Sequence, residues 1–380
     1  FEHGKGVWLF DKNNKKYIDG VTGIGVSALG HSHPAIIKAI TEQANKILFI
    51  GNMFHIEEQE KLGDEFIEIS KMHQVVFVNS GTEASEVSIK MARNYGYTQG
   101  IKNPTIIVFK NGFHGRTIGS LSASGNFKLQ EGFGPLLPGF IFVDYNDIDA
   151  VRKLANSGNE DIIGVSLEPI LGQGGVVIPG TNFLKDLNEI CKEKEWLLIL
   201  DEIQTGMGRT GKFFAYQHED LSPDIITTAK CIAGGLPLGA CAANKKVSDV
   251  FLLGKHGTTF GGNPLSCHVA RTVIKTIKDN NLLENITSTG AYLLEQLKTE
   301  LSALDIVVDI RGKGMMLGIE LAKPCHGLYL HGLEAGVLFN IAAEKVIRIL
   351  PPYIMNKEEA DIFVQRLKKA IVSFCQDKAQ

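Results

Sequence analysis

This chain of 380 residues lacks an excess of positive charge, long apolar runs and paired cysteines. Lysine and arginine number 39 against 42 aspartates and glutamates, for a net charge of −3. No basic surplus is therefore present to meet nucleic-acid phosphates or an anionic membrane surface. The longest apolar runs, such as WLLIL at 196–200, are strand-length and far too short to span a bilayer. The six cysteines (Cys191, Cys231, Cys241, Cys267, Cys325, Cys375) are scattered without a C-x-x-C pair. That usage points to buried thiols in a reducing, cytoplasmic setting, not to a disulfide frame or a zinc site. HSH at 31–33 has no further metal ligands at suitable spacing, so these histidines are expected to cap or pack the helix that follows. Internal repeats, low-complexity tracts and flexible linkers are also missing. Phe1 falls in mid-pattern, so a segment upstream is expected, together with any targeting signal it carries.

What is present is enough apolar residue, 44%, for a full core in one large domain plus a smaller one. VWLFDKNNKKYIDG reads as a hairpin around Asn13-Asn14, and Pro34 opens a helix with Ile36, Ile37 and Ile40 on one face. From about residue 75, apolar runs alternate with helical patterns: VVFVN, TIIVF, IIGVSLEP, WLLILDE and DIITTAK. Such alternation predicts an α/β fold with a mostly parallel sheet covered on both faces. After about residue 277, strand-like runs and a final helix with Phe363, Leu367, Ile371 and Phe374 on one stripe predict a smaller α+β domain. The expected division is 1–50 joining the small domain, 51–277 as the large domain and 278–380 as the small one.

In open α/β sheets ligands bind beyond the carboxyl ends of strands, and four segments fall there. NSGTEASE (79–86) turns from strand to helix, with Gly81 permitting close approach and Ser80 and Thr82 offering hydroxyls to an anion. The same residues form the capping pattern Ser80-x-x-Glu83, which needs no ligand. FHGR (113–116) combines an aromatic face with a guanidinium suited to a carboxylate, or is simply a surface arginine beside a buried ring. Asp201 ends a very apolar strand and needs a cationic or donor partner. Lys230, in ITTAKCIAGG, is set among small and apolar neighbours. Either it snorkels from a strand end, or desolvation lowers its pKa and leaves a neutral amine able to attack a carbonyl. An acid for a ring nitrogen and an amine for a carbonyl are what pyridoxal phosphate chemistry requires. GMGRTG (206–211) fits a dinucleotide fingerprint, but no clear helix begins inside it, so that site is rejected.

Together SGTEASE, FHGR, EPILGQGG, LDEIQTGMGRTG, AKCIAGGLP and HGTTFGGNPL resemble the class III (subgroup II) pyridoxal-phosphate aminotransferases, and most nearly their acetylornithine-type members. The similarity runs essentially from end to end. It implies fold type I, an obligate homodimer with shared active sites, and ping-pong transfer of an ω-amino group to 2-oxoglutarate. It implies that Lys230 links to the cofactor aldehyde, Asp201 holds the pyridine nitrogen and Gln204 bonds the ring hydroxyl. By the same resemblance Ser80, Gly81 and Thr82 form the phosphate loop, with Phe113 stacking on the ring and His114 in the cofactor site. Thr259 would reach the phosphate of the partner subunit, Arg116 would clamp a substrate carboxylate and Arg348 would receive the α-carboxylate.

Three departures are expected to matter. Gln173 stands where the family usually has a glutamate that masks the arginine at the place of Arg348, so Arg348 should be freer to hold a carboxylate. Cys231 follows the lysine where a small residue is usual, which predicts a packing change only. Ile24 stands where ornithine-type relatives tend to carry tyrosine, which favours the acetylornithine type. Rival expectations are another ω-amino donor (ornithine, succinylornithine, 4-aminobutyrate or an acylated diaminopimelate), an aminomutase, or an idle relative serving as a binding subunit.

Overall fold

The computed structural model describes residues 1–377. Its first elements are β1 (His3–Lys5), β2 (Trp8–Phe10) and β3 (Lys16–Asp19), paired antiparallel as the two aromatic runs predict. Asn14 turns the hairpin at φ 59°, a conformation asparagine tolerates. Pro34 then starts the helix Pro34–Ala44, where its missing N–H falls on an orphan position, and His33 Nδ1 accepts from Ala35 N at 3.3 Å. His31 Nε2 meets the buried Asp19 Oδ2 at 2.7 Å. Both histidines of the HSH triplet thus cap or tie local structure.

The central sheet contains β4 (Gln74–Val78), β5 (Thr105–Phe109), β6 (Phe140–Val143), β7 (Ile162–Leu167), β8 (Leu197–Asp201), β9 (Ile225–Thr228) and β10 (Gly239–Ala243). Their order is β4-β10-β9-β8-β7-β5-β6, with β10 antiparallel to both neighbours and the other pairs parallel. The five expected strands are all present. β6 and β10 are additional, and β10 (GACAA) carries neither branched nor aromatic side chains. Its first residue must be small: a Cβ on Gly239 would lie 2.4 Å from the carbonyl oxygen of Ser80. The turn carrying Ser80 therefore passes directly over the strand.

After the helix Pro264–Asp279, the helix Leu282–Leu301 leads into β11 (Val307–Lys313), β12 (Met316–Leu321), β13 (Val337–Leu338), β14 (Asn340–Ala342) and β15 (Val346–Ile349). Four of these form an antiparallel sheet, β11-β12-β15-β14. β13 instead pairs parallel with β3, so the N-terminal hairpin is completed by a C-terminal strand. The last helix, Lys357–Asp377, buries Phe363, Leu367, Ile371 and Phe374 against this layer. These contacts support a proposed large unit near 51–277 and a smaller one near 278–380 that takes in the first strands. The joining helix runs to Asp279, which moves the proposed boundary to 280–281. Among the described residues no helix is long and apolar enough to cross a membrane.

Candidate active site

The carboxyl ends of β5, β7, β8 and β9 open on one edge, and the residues just past them meet at a cavity of about 440 Å3. Ser80, Gly81, Thr82, Phe113, His114, Arg116, Asp201, Gln204 and Lys230 all line it. The helix Gly81–Thr98 points its first turn at this space. Ser80 Oγ accepts from Glu83 N at 3.3 Å, while Glu83 Oε2 takes Asn79 N at 2.5 Å, one residue before the reciprocal partner of a capping box. The cap is real and it leaves the leading amides of Gly81 and Thr82 at the cavity, where a helix N-terminus favours an anion. Thr82 Oγ1 also accepts from Arg116 N at 3.2 Å, which joins the loop of Arg116 to this turn. Close packing enforces glycine at 115, since a Cβ there would lie 2.2 Å from Thr82 Oγ1.

Lys230 sits just beyond β9 with φ at 51°. Left-handed backbone at a non-glycine residue is strained and persists where the surroundings over-determine it. Desolvation pushes the pKa of its amine down, assisted by the charge of Arg348 and opposed by Asp201 and Glu168. Asp201 is buried and doubly held: Oδ1 accepts from Ile203 N at 3.0 Å and Oδ2 pairs with His114 Nδ1 at 2.7 Å. Burial works against a charge on His114, but the bond to Asp201 and its negative charge outweigh burial, and the imidazole pKa is raised. Arg116 lies exposed at the mouth, 5.8 Å from the Phe113 ring centroid.

Arg348, on β15, is fully buried behind Gln204. Its Nη1 donates to Gln204 Oε1 at 3.4 Å and its Nη2 to Asn340 Oδ1 at 2.5 Å. Burial lowers its pKa to about 10. Among the described residues no carboxylate comes within ion-pair distance of it; its hydrogen-bond partners are two amide oxygens, and the charge of Glu168 supports it from further away. Gln173 is half-buried on the turn between Leu171 and Val177, outside the cavity lining, and none of the bonds to Arg348 involves it. Thr259 is exposed and lines a different surface hollow, beside Phe49, Asn52 and Met53. Ile24 stands at φ 64° on the turn preceding Val26, which does line the cavity.

The family profile of the class-III aminotransferases matches residues 1–371. The chain belongs to that family. This class-III aminotransferase is 44% identical to the acetylornithine aminotransferase of Nitrosomonas europaea over 380 residues, covering all of this chain and 96% of the relative. Among solved structures it resembles an ornithine aminotransferase from Toxoplasma gondii with partial pyridoxal phosphate occupancy at its active site: TM-score 0.94, 32% identity, 99% of this chain and 91% of that one. The N-acetylornithine aminotransferase of Stenotrophomonas maltophilia gives a TM-score of 0.87 at 33% identity, covering 99% and 96%. The fold is therefore that of the pyridoxal-phosphate-dependent transaminases, and the chain is a transaminase.

The residues of this aminotransferase fit the cofactor. One cavity joins an anion-favouring helix start, an aromatic face, a buried carboxylate and a desolvated amine, the donor set a phosphorylated pyridine aldehyde requires. Two further residues belong to the site without having been picked out beforehand. Glu168, at the end of β7, accepts from Phe113 N and Gly172 N, both at 2.9 Å, and holds the loop of Phe113 against the cavity wall. Burial raises its pKa, with the charge of Asp201 adding to the effect. The rule that singled out Asp201, an acid ending an apolar strand, identifies Glu168 equally. Asn340 has no such signal, because only the pairing of β14 with β15 brings it opposite Arg348.

Proposed function

We propose that this aminotransferase moves the terminal amino group of N-acetylornithine to 2-oxoglutarate, as a cytoplasmic homodimer in arginine biosynthesis. The observation that carries the reading is Lys230, a desolvated amine on strained backbone, facing the cavity that Asp201 also lines. The acetylornithine relatives of nearly full length supply the donor.

Pyridoxal phosphate, when bound, supplies an aldehyde to take up the amino group and a ring to accept electrons from the adjacent carbon. Asp201, fixed by His114 and Ile203 N, would hold the protonated ring nitrogen. Gly81 and Thr82 would hold the phosphate, with Phe113 against the ring and Gln204 at its hydroxyl. Lys230 Nζ, whose pKa burial lowers, would take the proton from the substrate carbon that bears the nitrogen and return it on the other side of the transfer. Arg348 would bind the α-carboxylate of 2-oxoglutarate, a role favoured by a guanidinium with only amide partners. Arg116, exposed at the mouth, would take the carboxylate of the acylated donor.

Dimerisation is supported by an apolar surface around Thr259: Phe49, Met53, Phe54, Leu253 and Phe260 are all exposed, Met53 by 87%. A patch of this kind is characteristic of an interface, and a second copy would bring Thr259 toward the neighbouring site. The test is the absorbance of the holo-protein on adding N-acetylornithine without 2-oxoglutarate. Loss of the yellow band supports the reading. A band that ignores N-acetylornithine but responds to ornithine would move the donor to the type of the Toxoplasma neighbour, and no response to any amine would make the chain an idle relative.

A further inference from the structure

Behind the carboxylate of Asp201, on the side away from the substrate cavity, lies a second and much smaller void. Its volume is about 10 Å3. Asp201 and His114 form one wall, and Ser85, Ser88, Ser166 and Thr227 contribute to the others. Ser85 comes from the helix Gly81–Thr98 and Thr227 from β9, where it is the cross-strand neighbour of Asp201. The hydroxyls of Ser85 and Thr227 are both enclosed, their residues 4% and 2% exposed. Neither Ser85 Oγ nor Thr227 Oγ1 has a hydrogen-bond partner among the described residues.

A buried hydroxyl without a partner is costly, and two of them facing one void from elements distant in sequence call for a common partner. The void is too small for an organic ligand or a hydrated ion. It is near the space of about 10–15 Å3 that one water needs, and it offers the two to four polar partners such a water takes. We infer that Ser85, Thr227 and Asp201 build a site for a single buried water, and that this water positions Asp201. The two hydroxyls donate to the water oxygen and the water donates to the carboxylate. Asp201 accepts one bond at each oxygen already, from Ile203 N and His114, and an ionised carboxylate has about four acceptor positions. The added donor stabilises the charged form from behind and leaves the cavity-facing lone pair for its partner. This rests on the reading that Asp201 holds the cofactor nitrogen. Ser85 and Thr227 are positioning residues, since neither touches the substrate cavity.

The test is a high-resolution crystal structure of the holoenzyme together with cofactor titrations of the apo-protein. The expected density is one isolated peak within about 2.6–3.2 Å of both Ser85 Oγ and Thr227 Oγ1. Ser85→Ala combined with Thr227→Val should remove the peak, keep the melting temperature and raise the dissociation constant for pyridoxal phosphate about tenfold, as expected for losing a hydrogen bond to a charged group. Thr227→Ser, which retains the hydroxyl, should keep both the peak and the affinity. If the double variant does not fold, Thr227→Val against Thr227→Ser reads the same difference. A wild-type void without density, or unchanged affinity in the variants that lack the hydroxyl, overturns the inference. Failure of the Asp201 reading shows separately, as an Asp201→Asn protein whose affinity and spectrum match wild type whatever occupies the void.

Discussion

The floor of the cavity and the layer packed directly beneath it are built from the same short stretches of chain, yet they treat buried polar groups in opposite ways. On the floor, Asp201, Gln204 and Lys230 surround open space, and Arg348 lies buried behind Gln204 with its Nε unpartnered among the described residues. Beneath it, their sequence neighbours bond to the surrounding packed structure. Glu202 binds Thr205 Oγ1 and accepts from Tyr216 N. Arg209 donates to Met315 O at 3.1 Å and Pro351 O at 2.6 Å and stacks over Tyr353, whose hydroxyl meets Cys231 Sγ at 3.5 Å. The two buried arginines differ in the kind of partner they bond, not in capacity left over, since Nε and Nη2 of Arg209 and Nε of Arg348 are all unpartnered among the described residues. Arg209 bonds rigid backbone carbonyls and ties the loop after β8 to the C-terminal unit. Arg348 bonds side-chain amides that a carboxylate can displace. A polar group under the floor supports the structure, and one on the floor is held ready.

That comparison predicts a separation of activity from stability. Lys230→Ala should lower turnover by roughly 10²–10⁴-fold or more while leaving the melting temperature at or above wild type, because a desolvated amine is removed. A large loss of stability would place Lys230 with the lower layer. Asp201→Asn should follow with a loss of similar order and a changed cofactor spectrum. Arg209→Met should do the reverse: about 3 kcal/mol of stability lost in denaturant unfolding as two buried carbonyls lose their donor, with the KM for 2-oxoglutarate near wild type. Arg348→Lys should raise that KM by about tenfold without matching destabilisation, through loss of the bidentate fork.

Glu202 gives a pH test of the lower layer. Burial raises its pKa from 4.5 to about 7 in the folded chain. Between those values the folded state keeps a proton that the unfolded state has released, so this group makes stability fall as pH rises from 4.5 to about 7. Glu202→Gln should flatten that slope in pH-dependent melting without altering the pH profile of cofactor binding. The smallest effect is expected for Gln173→Glu, a rise of a few-fold in the KM for glutamate if the new carboxylate reaches Arg348. Identical glutamate kinetics in the two proteins would leave Asn340 and Gln204 as the groups that set the availability of Arg348.

Much of the site was readable because each of its acids, amines and turns stands at the end of an apolar run. Asp201 after WLLIL and Lys230 after DIITTA declare themselves by the cost of burying them. β10 was not readable, because GACAA has no strand signal, and the close approach of Ser80 that requires Gly239 is visible only in the fold. Asn340 was missed for a related reason, since an asparagine on a short C-terminal strand acquires meaning only from the arginine across the ladder. The choice between capping box and anion cradle at Ser80 also needed coordinates. Glu83 turned out to bond Asn79, so the cap and the cradle coexist.

The sequence alone determined the alternation of strands and helices, the acid and the amine that end two of the strands, and the order of motifs that marks the family. These are local properties, fixed by hydrophobic period and by the cost of desolvating a charge. Tertiary structure decided which of two adjacent polar residues faces the cavity and which supports it. Asp201 and Glu202 are equal in charge and nearly equal in burial. A strand sends successive side chains to opposite faces, and only the packing of the sheet assigns one face to the substrate and the other to the core.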